Sequence, residues 1–256
     1  MKPVIGYDNF FTRFRSGIDP GQDATGANLG NWLTGPDSVW QIPVIGQSIS
    51  AEVSVTLPSS MSADYFAVAR HSLAGRQISV WRMVGSQWSF VASHTPVDSD
   101  AFLIPFSPVT SSQWRVLVNV QTPGQFMGVC AIGTRLELER GVFVGHDPIT
   151  ENERTVSVDN LSESGQFLGR KIIRMGAQSS IDPGNISADW ARDHWRPFRK
   201  HAQKYPFFWQ WNPKHHDDEV ALCWQSSDPS LSNSGVGYLD QKGRIDLSMP
   251  INGIVR

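Results

Sequence analysis

Ile49-Ser50-Ala51-Glu52-Val53-Ser54-Val55-Thr56-Leu57 alternates apolar and polar residues with a period of two. That period places the two sets of side chains on opposite faces of a half-buried strand. Downstream, Tyr65-Phe66-Ala67-Val68-Ala69 is apolar throughout, as a short strand buried on both faces is. Working outward, residues 77–84 alternate again, Gly85-Ser86 turns the chain, and residues 88–91 return in a hairpin pattern. Residues 114–120 and 126–138 read as further strands. Short strands separated by turn residues, with no convincing helix, predict an antiparallel sandwich over residues 1–140. Residues 1–23 form its lead-in and carry Tyr7, Phe10, Phe11 and Phe14.

A second β-rich domain is predicted over residues 141–256. Strand-like pieces occur at 155–158, 165–175, 207–211 and 220–225. Residues 187–204 differ. Ser187 suits a helix N-cap, and Trp190, His194, Phe198 and Ala202 share one helical face. Pro197 predicts a kink or the first turn of a second helix. Asp189 and Asp193 lie early, whereas Arg199, Lys200 and Lys204 lie late, which complements the helix dipole. The basic end, Arg199 and Lys200, is also a candidate surface for an acidic partner.

Composition excludes several classes. Charged residues make up 18% of the 256-residue chain, below the roughly 25% of an average soluble domain. That charge content is too low for a solvated disordered chain, and hydrophobic residues make up 40%. The formal net charge of −2 gives no cation surplus for displacing phosphate counterions, so no nucleic-acid partner is expected. No apolar run reaches the ~18–20 residues of a membrane span. No apolar h-region follows Lys2, so no signal peptide is expected. Two cysteines make no disulfide framework, which suits synthesis in a reducing cytosol. There are ten Trp, five on each side of residue 133, as two separate cores need. Only Lys2 precedes Lys171, so the cations are mostly Arg. Arg and Trp together are enriched at protein interfaces; the plainer account is a sandwich core with ordinary Arg solvation.

No catalytic constellation is visible, and no cofactor is expected. The nucleophile elbow, the P-loop, the dinucleotide fingerprint and the Cys-x-x-Cys pair are all missing from the sequence. Asp98/Asp100 and Glu137/Glu139 share strand faces, which suits a wet charged row better than a glycosidase pair. His215-His216-Asp217-Asp218-Glu219 is the densest polar cluster and contains metal-ligating residue types. Adjacent residues seldom converge on one ion, and the flanking apolar runs predict a hairpin with a polar tip. His71 and His94 read as packed or hydrogen-bonded histidines. Cys130 and Cys223 read as small core residues.

Tyr7-Asp8-Asn9, Asn28-Leu29 followed by Trp32 and Trp40, and residues 64–73 resemble the discoidin-like, galactose-binding-like jelly rolls of bacteriophage tail proteins. Residues 78–81 with Trp88, and 128–133 leading into 136–138, fit the same pattern. In the second half, Asn160-Leu161-Ser162-Glu163-Ser164-Gly165, Tyr205-Pro206-Phe207-Phe208-Trp209 and residues 247–254 resemble the domain that follows in distal-tail proteins. The resemblance implies a structural subunit of a tail tip or baseplate, located in the virion after synthesis in the host cytoplasm. It implies a ring of identical copies contacting tail-tube, hub and tail-tip proteins. The alternative expectation is a carbohydrate- or receptor-binding module, with Trp32 and Trp40 as rings that stack on a host glycan, although a core or inter-sheet place suits the two residues better. A metal-dependent or glycan hydrolase around residues 215–219 is the third and weakest reading.

Overall fold

The structure, a computed structural model, describes residues 2–21, 40–41, 50–119, 125–142, 146–236 and 243–255. It is mainly β, with an N-terminal β-sandwich followed by a second β-rich domain that carries one short helical segment.

Two long strands build the sandwich. β1 (Val4–Gly6) enters first, then α1 (Phe10–Arg13), β2 (Ile18–Asp19) and β3 (Trp40–Gln41). β4 (Ser50–His71) and β7 (Phe102–Asn119) pair along most of their length, but the register slips between Thr56 and Met61 and again between Ala63 and Tyr65. Pro58, which has no N–H to donate, lies in the first slip. Each strand therefore serves two layers. Residues 50–56 of β4 and the end of β7 form an outer layer with β2, β5 (Ile78–Val84) and β6 (Gln87–His94). The remaining parts form a middle layer with β3 and β8 (Phe126–Gly133). Sequence periodicity separates 49–57 from 65–69 as two strands; residues 50–57 and 65–69 belong to the two arms of one, β4.

The core between these layers joins Val53, Val55, Val80, Trp114 and Val116 to Phe66, Val68, Cys130 and Ile132. α1, a helical turn within the lead-in, adds Phe10 and Phe11. Asn9 caps it. Its Oδ1 accepts from the Phe11 N–H at 3.0 Å, and its Nδ2 donates to the Cys130 carbonyl at 3.0 Å.

The second sheet runs β10 (Glu153–Leu161), β11 (Phe167–Ile181), β16 (Gly243–Ile254), β14 (Val220–Gln225), β13 (Phe207–Gln210), β1, β9 (Arg135–Glu137). β12 (Ile186–Ser187) and β15 (Ser230–Val236) also pair with β16. β1 and β9 fall within the first 140 residues, yet they hydrogen-bond into this second sheet, beside each other. The chain thus leaves the second sheet after Gly6, builds the whole sandwich, and returns at Arg135, the register partner of Gly6.

Alternation along this sheet serves two cores. Val4, Phe208, Val220 and Leu222 meet Tyr65, Ala67, Ala69, Val129 and Ala131 of the middle layer. Ile5, Phe207, Trp209, Ala221 and Cys223 meet the helical segment on the other side. The middle layer is therefore covered on both faces, which explains the unbroken apolar run at 65–69. The domains approach closely. A Cβ on Gly133 would stand 1.5 Å from the Asp8 carbonyl oxygen, and one on Gly6 would stand 2.6 Å from the Tyr65 ring.

The helical segment is α2 (Ala188–Trp190), a π-helical turn (Ala191–Trp195) and α3 (Arg196–Ala202). Ser187 caps it as expected, its hydroxyl accepting from the Trp190 N–H at 3.3 Å. Pro197 sits in the first turn of α3. The buried face is Ala191, Trp195, Phe198 and Ala202, not the expected set with Trp190 and His194. The wide π turn carries an extra residue and rotates the first half of the helix relative to the second.

Candidate functional site

The outer layer has one face on the core and one on solvent. Val80, Trp114 and Val116 point inward, so Trp81 and Arg115, register partners on β5 and β7, point outward. Phe90 on β6 is the partner of Trp81 on its other side, and Trp88 is the partner of Met83. The Trp81 and Phe90 rings meet edge to face at 5.6 Å. The Arg115 guanidinium lies 4.4 Å from the Trp88 ring centre and 5.7 Å from that of Trp81. It also pairs with Glu52 at 3.2 Å. The Trp81 indole N–H donates to the Ser79 hydroxyl at 2.9 Å, which fixes the ring. Trp81, Met83 and Trp88 are half-buried, and Phe90 is 54% exposed. The result is a solvent-facing aromatic surface with a stacked Arg at its centre, of the composition found in binding hot spots.

A second apolar surface belongs to the other domain. β11 pairs with β16 only over Ala177–Ile181, while β10 and β11 pair from Glu153/Ala177 out to Leu161/Phe167. Beyond Ala177, towards the tip, no third strand pairs with the two among the described residues. They project as a two-stranded arm of about eight residues per strand, roughly 27 Å at 3.4 Å per residue. Val158, Leu161, Phe167, Leu168 and Ile172 on this arm are each more than half exposed. Its tip is well defined. The Ser162 hydroxyl accepts from the Gln166 N–H at 3.0 Å, and Gly165 adopts φ +81° in the turn. Arg170 grips Asp159 with Nε–Oδ1 at 2.6 Å and Nη2–Oδ2 at 3.2 Å, which holds the Asp159 carboxyl below its ordinary value. A two-stranded ribbon is marginal in water by itself, and one that exposes five large apolar side chains is the form of a surface awaiting cover.

The residues singled out from sequence have different fates. Trp32 lies outside the described residues. Trp40 is fully buried, and its indole N–H donates to the Pro20 carbonyl at 3.1 Å; it fills the sandwich core and offers no ring to a ligand, which corrects its candidacy. Arg199 is half-buried and Lys200 exposed on α3. His71 is buried: its Nδ1 accepts from the Leu73 N–H at 3.2 Å, so Nε2 carries the proton and donates to the Asp100 carbonyl at 2.8 Å. His94 packs on Phe102 with ring centres 4.7 Å apart. Residues 215–219 do form a polar hairpin tip between β13 and β14. There Glu219 accepts from the Trp211 indole N–H and pairs with His216 at 3.3 Å. Among the described residues no group of three or more His, Cys, Asp or Glu converges as metal ligands do. Cys130 and Cys223 are buried and free, and burial pushes both thiols up. Glu137 is exposed, whereas Glu139 is half-buried and bonds Ser187.

Neither surface was named from sequence. The signal for the first is that residues 80–91 place apolar side chains on both phases of the alternation, Val80 and Val91 on one and Trp81, Met83, Trp88 and Phe90 on the other. For the second it is Leu161, Phe167 and Leu168 flanking a Ser- and Gly-rich turn.

No protein family model matches the chain. No curated protein matches it either. Among solved structures, it is similar to chitosan-binding module 1 of a chitosanase/glucanase from Paenibacillus sp. IK-5, at 18% identity over 49% of this chain and 98% of that one, with a TM-score of 0.38. It is similar to the CBM32 module of AlyQ in complex with 4,5-unsaturated mannuronic acid, at 16% identity over 50% of this chain and 96% of that one, with a TM-score of 0.35. A CBM32 module from Clostridium perfringens in complex with GalNAc-β-1,3-galactose gives 12% identity over 47% and 97%, with a TM-score of 0.36. The named neighbours are carbohydrate-binding modules, and the resemblance to tail proteins has no counterpart among them.

Proposed function

We propose that this protein is a non-enzymatic contact protein, a structural subunit of a multi-copy particle such as the tail tip of a long-tailed bacteriophage. The observation that carries the reading is the β10–β11 arm, which among the described residues exposes Val158, Leu161, Phe167, Leu168 and Ile172 and pairs with no third strand. Such an arm gains its stability from a neighbour. The junction between the domains suits the same role, because load would pass through a shared sheet and a buried core. The test is electron microscopy of particles produced together with this subunit, located by a specific antibody. Labelling confined to a ring at the tail tip supports the reading. A monomer absent from every particle rejects it.

A second reading, a carbohydrate- or receptor-binding module, is favoured by a different observation. Trp81, Trp88 and Phe90 stand on a solvent-facing sheet surface, where aromatic faces suit the apolar faces of sugar rings. Retardation of the protein in gels containing acidic and neutral polysaccharides, lost in Trp88→Ala with the fold intact, would favour this reading over assembly.

A further inference from the structure

A row of cations runs along the helical segment. No Asp or Glu occurs between Asp193 and Asp217, whereas Arg196, Arg199, Lys200, Lys204 and Lys214 do. Arg196, Lys200 and Lys204 are exposed and follow one another at i, i+4 and i+8, so they stand in one row that rises about 6 Å per step. The helical turn carries on past Ala202, since the Tyr205 N–H donates to the His201 carbonyl at 3.0 Å. None of the three cations forms an ion pair among the described residues.

The row ends at a cleft between the domains. There Tyr7, Asn9, Thr12 and Tyr65 meet His201 and Tyr205 around a narrow cavity with room for about one water molecule. Two rings flank His201, Tyr7 at 5.3 Å and Tyr205 at 5.1 Å. Its own ring bonds the backbone at Pro206, while its Nε2 is buried and no group among the described residues bonds it. Burial favours the neutral ring, whose Nε2 then accepts; a hydroxyl satisfies it and another acceptor does not. Tyr205 is 44% exposed beside it. Asp8, whose charge reaches His201, is already paired with Arg13 at 2.7 Å.

The ligand that fits such a place carries hydroxyl donors and regularly spaced negative charges together. We propose that an acidic saccharide binds here, one hydroxyl donating to Nε2 of His201, a sugar face on Tyr205, and carboxylates along Lys204, Lys200 and Arg196. The cavity admits a hydroxyl but neither a nucleobase nor an amino-acid side chain. This site is separate from Trp81, Trp88 and Phe90 on the outer layer and does not depend on the assembly reading.

The test is isothermal titration calorimetry of the full-length chain with an oligogalacturonate, and with oligoglutamate and oligodeoxythymidylate of equal charge. The oligogalacturonate is expected to bind at least about 10-fold more tightly than either. Lys200→Glu/Lys204→Glu is expected to weaken it about 10-fold or more. His201→Phe keeps a ring between Tyr7 and Tyr205 but removes the acceptor, and is expected to weaken the oligogalacturonate alone, by roughly 5–10-fold. Thermal melting reports the fold, and Tyr205→Ala replaces His201→Phe should that variant melt early. Trp88→Ala is expected to bind as the unaltered chain does. Equal binding of the three polyanions, or tighter binding of oligodeoxythymidylate or oligoglutamate, would overturn the saccharide assignment. So would an unchanged affinity in the lysine variant, or no binding at all. Binding lost in Trp88→Ala and kept in the lysine variant would overturn this site and leave the carbohydrate reading of the outer layer standing.

Discussion

The Glu139 carboxylate receives two bonds from one residue: the Ser187 N–H at 2.6 Å and the Ser187 hydroxyl at 2.9 Å. Ser187 in turn caps the helical segment that covers the second core. The strand region leaving the sandwich is thereby tied to the helix start, and a negative charge stands at the positive end of the helix.

Replacing that carboxylate weakens the cap. Glu139→Gln removes the charge and one acceptor, and should lower stability by ~1–2 kcal/mol. Urea unfolding followed by tryptophan fluorescence checks this. Glu137→Gln, on the exposed neighbour, should stay within about 0.5 kcal/mol of the parent.

Acid should destabilise the fold well before carboxylates titrate. Burial, the leading cause in each case, lowers His71, His94, His146 and His201 from the ordinary 6.5. The unfolded chain then takes up protons first as pH falls through about 6.5, while the folded chain does not, so stability drops with decreasing pH in that window. Above it the histidines contribute no slope. The urea midpoint should be flat near pH 8 and fall steadily below about pH 6.5. A midpoint independent of pH down to about 5 would contradict the burial of these rings.

Much of this architecture can be read from residue order. The alternation at 49–57, the apolar run at 65–69 and the Gly85-Ser86 turn all predict what forms, because each is a local consequence of which face is wet. The cap at Ser187 and the position of Pro197 are equally local. The failures have non-local causes. Residues 49–57 and 65–69 read as two strands, yet pairing with β7 on both sides of Pro58-Ser59-Ser60 makes residues 50–71 one strand with a register slip. Trp40 reads as a core residue or as an exposed loop ring, and what decides for the core is strands 20 to 90 positions away. The pairing of β1 with β9 joins residues about 130 positions apart, and no spacing rule reaches that far. The two exposed apolar surfaces escaped for another reason. An exposed aromatic and a core aromatic have the same symbol, and only the register across three strands tells Trp81 from Trp114.

The point where the chain enters and leaves the sandwich should be intolerant of volume. Gly133→Ala forces a methyl group to within 1.5 Å of the Asp8 carbonyl and must displace backbone. A loss of ~3 kcal/mol or more, seen as a fall in melting temperature or as insoluble protein, is expected. Gly176→Ala is the control. Its nearest neighbour, the Gly253 carbonyl oxygen, would be 3.8 Å away, an ordinary contact.

The domains should melt together. Phe208, Val220 and Leu222 pack directly on Tyr65, Val129 and Ala131, so neither sheet keeps a complete core without the other. Calorimetry should show one transition with equal calorimetric and van't Hoff enthalpies. Phe208→Ala, costing about 3–5 kcal/mol, should broaden or split it.

Because Gly6 and Arg135 stand opposite each other in neighbouring strands, the sandwich hangs on the second sheet as a cassette between two adjacent posts. A short turn from one post to the other would excise it without cutting any ladder of the sheet that holds them. What such an excision would strip bare is the greasy side of β13 and β14. A lineage trading this cassette for another must therefore bring a replacement cover of matching shape, and the hydrogen-bonded frame alone does not decide which inserts are tolerated.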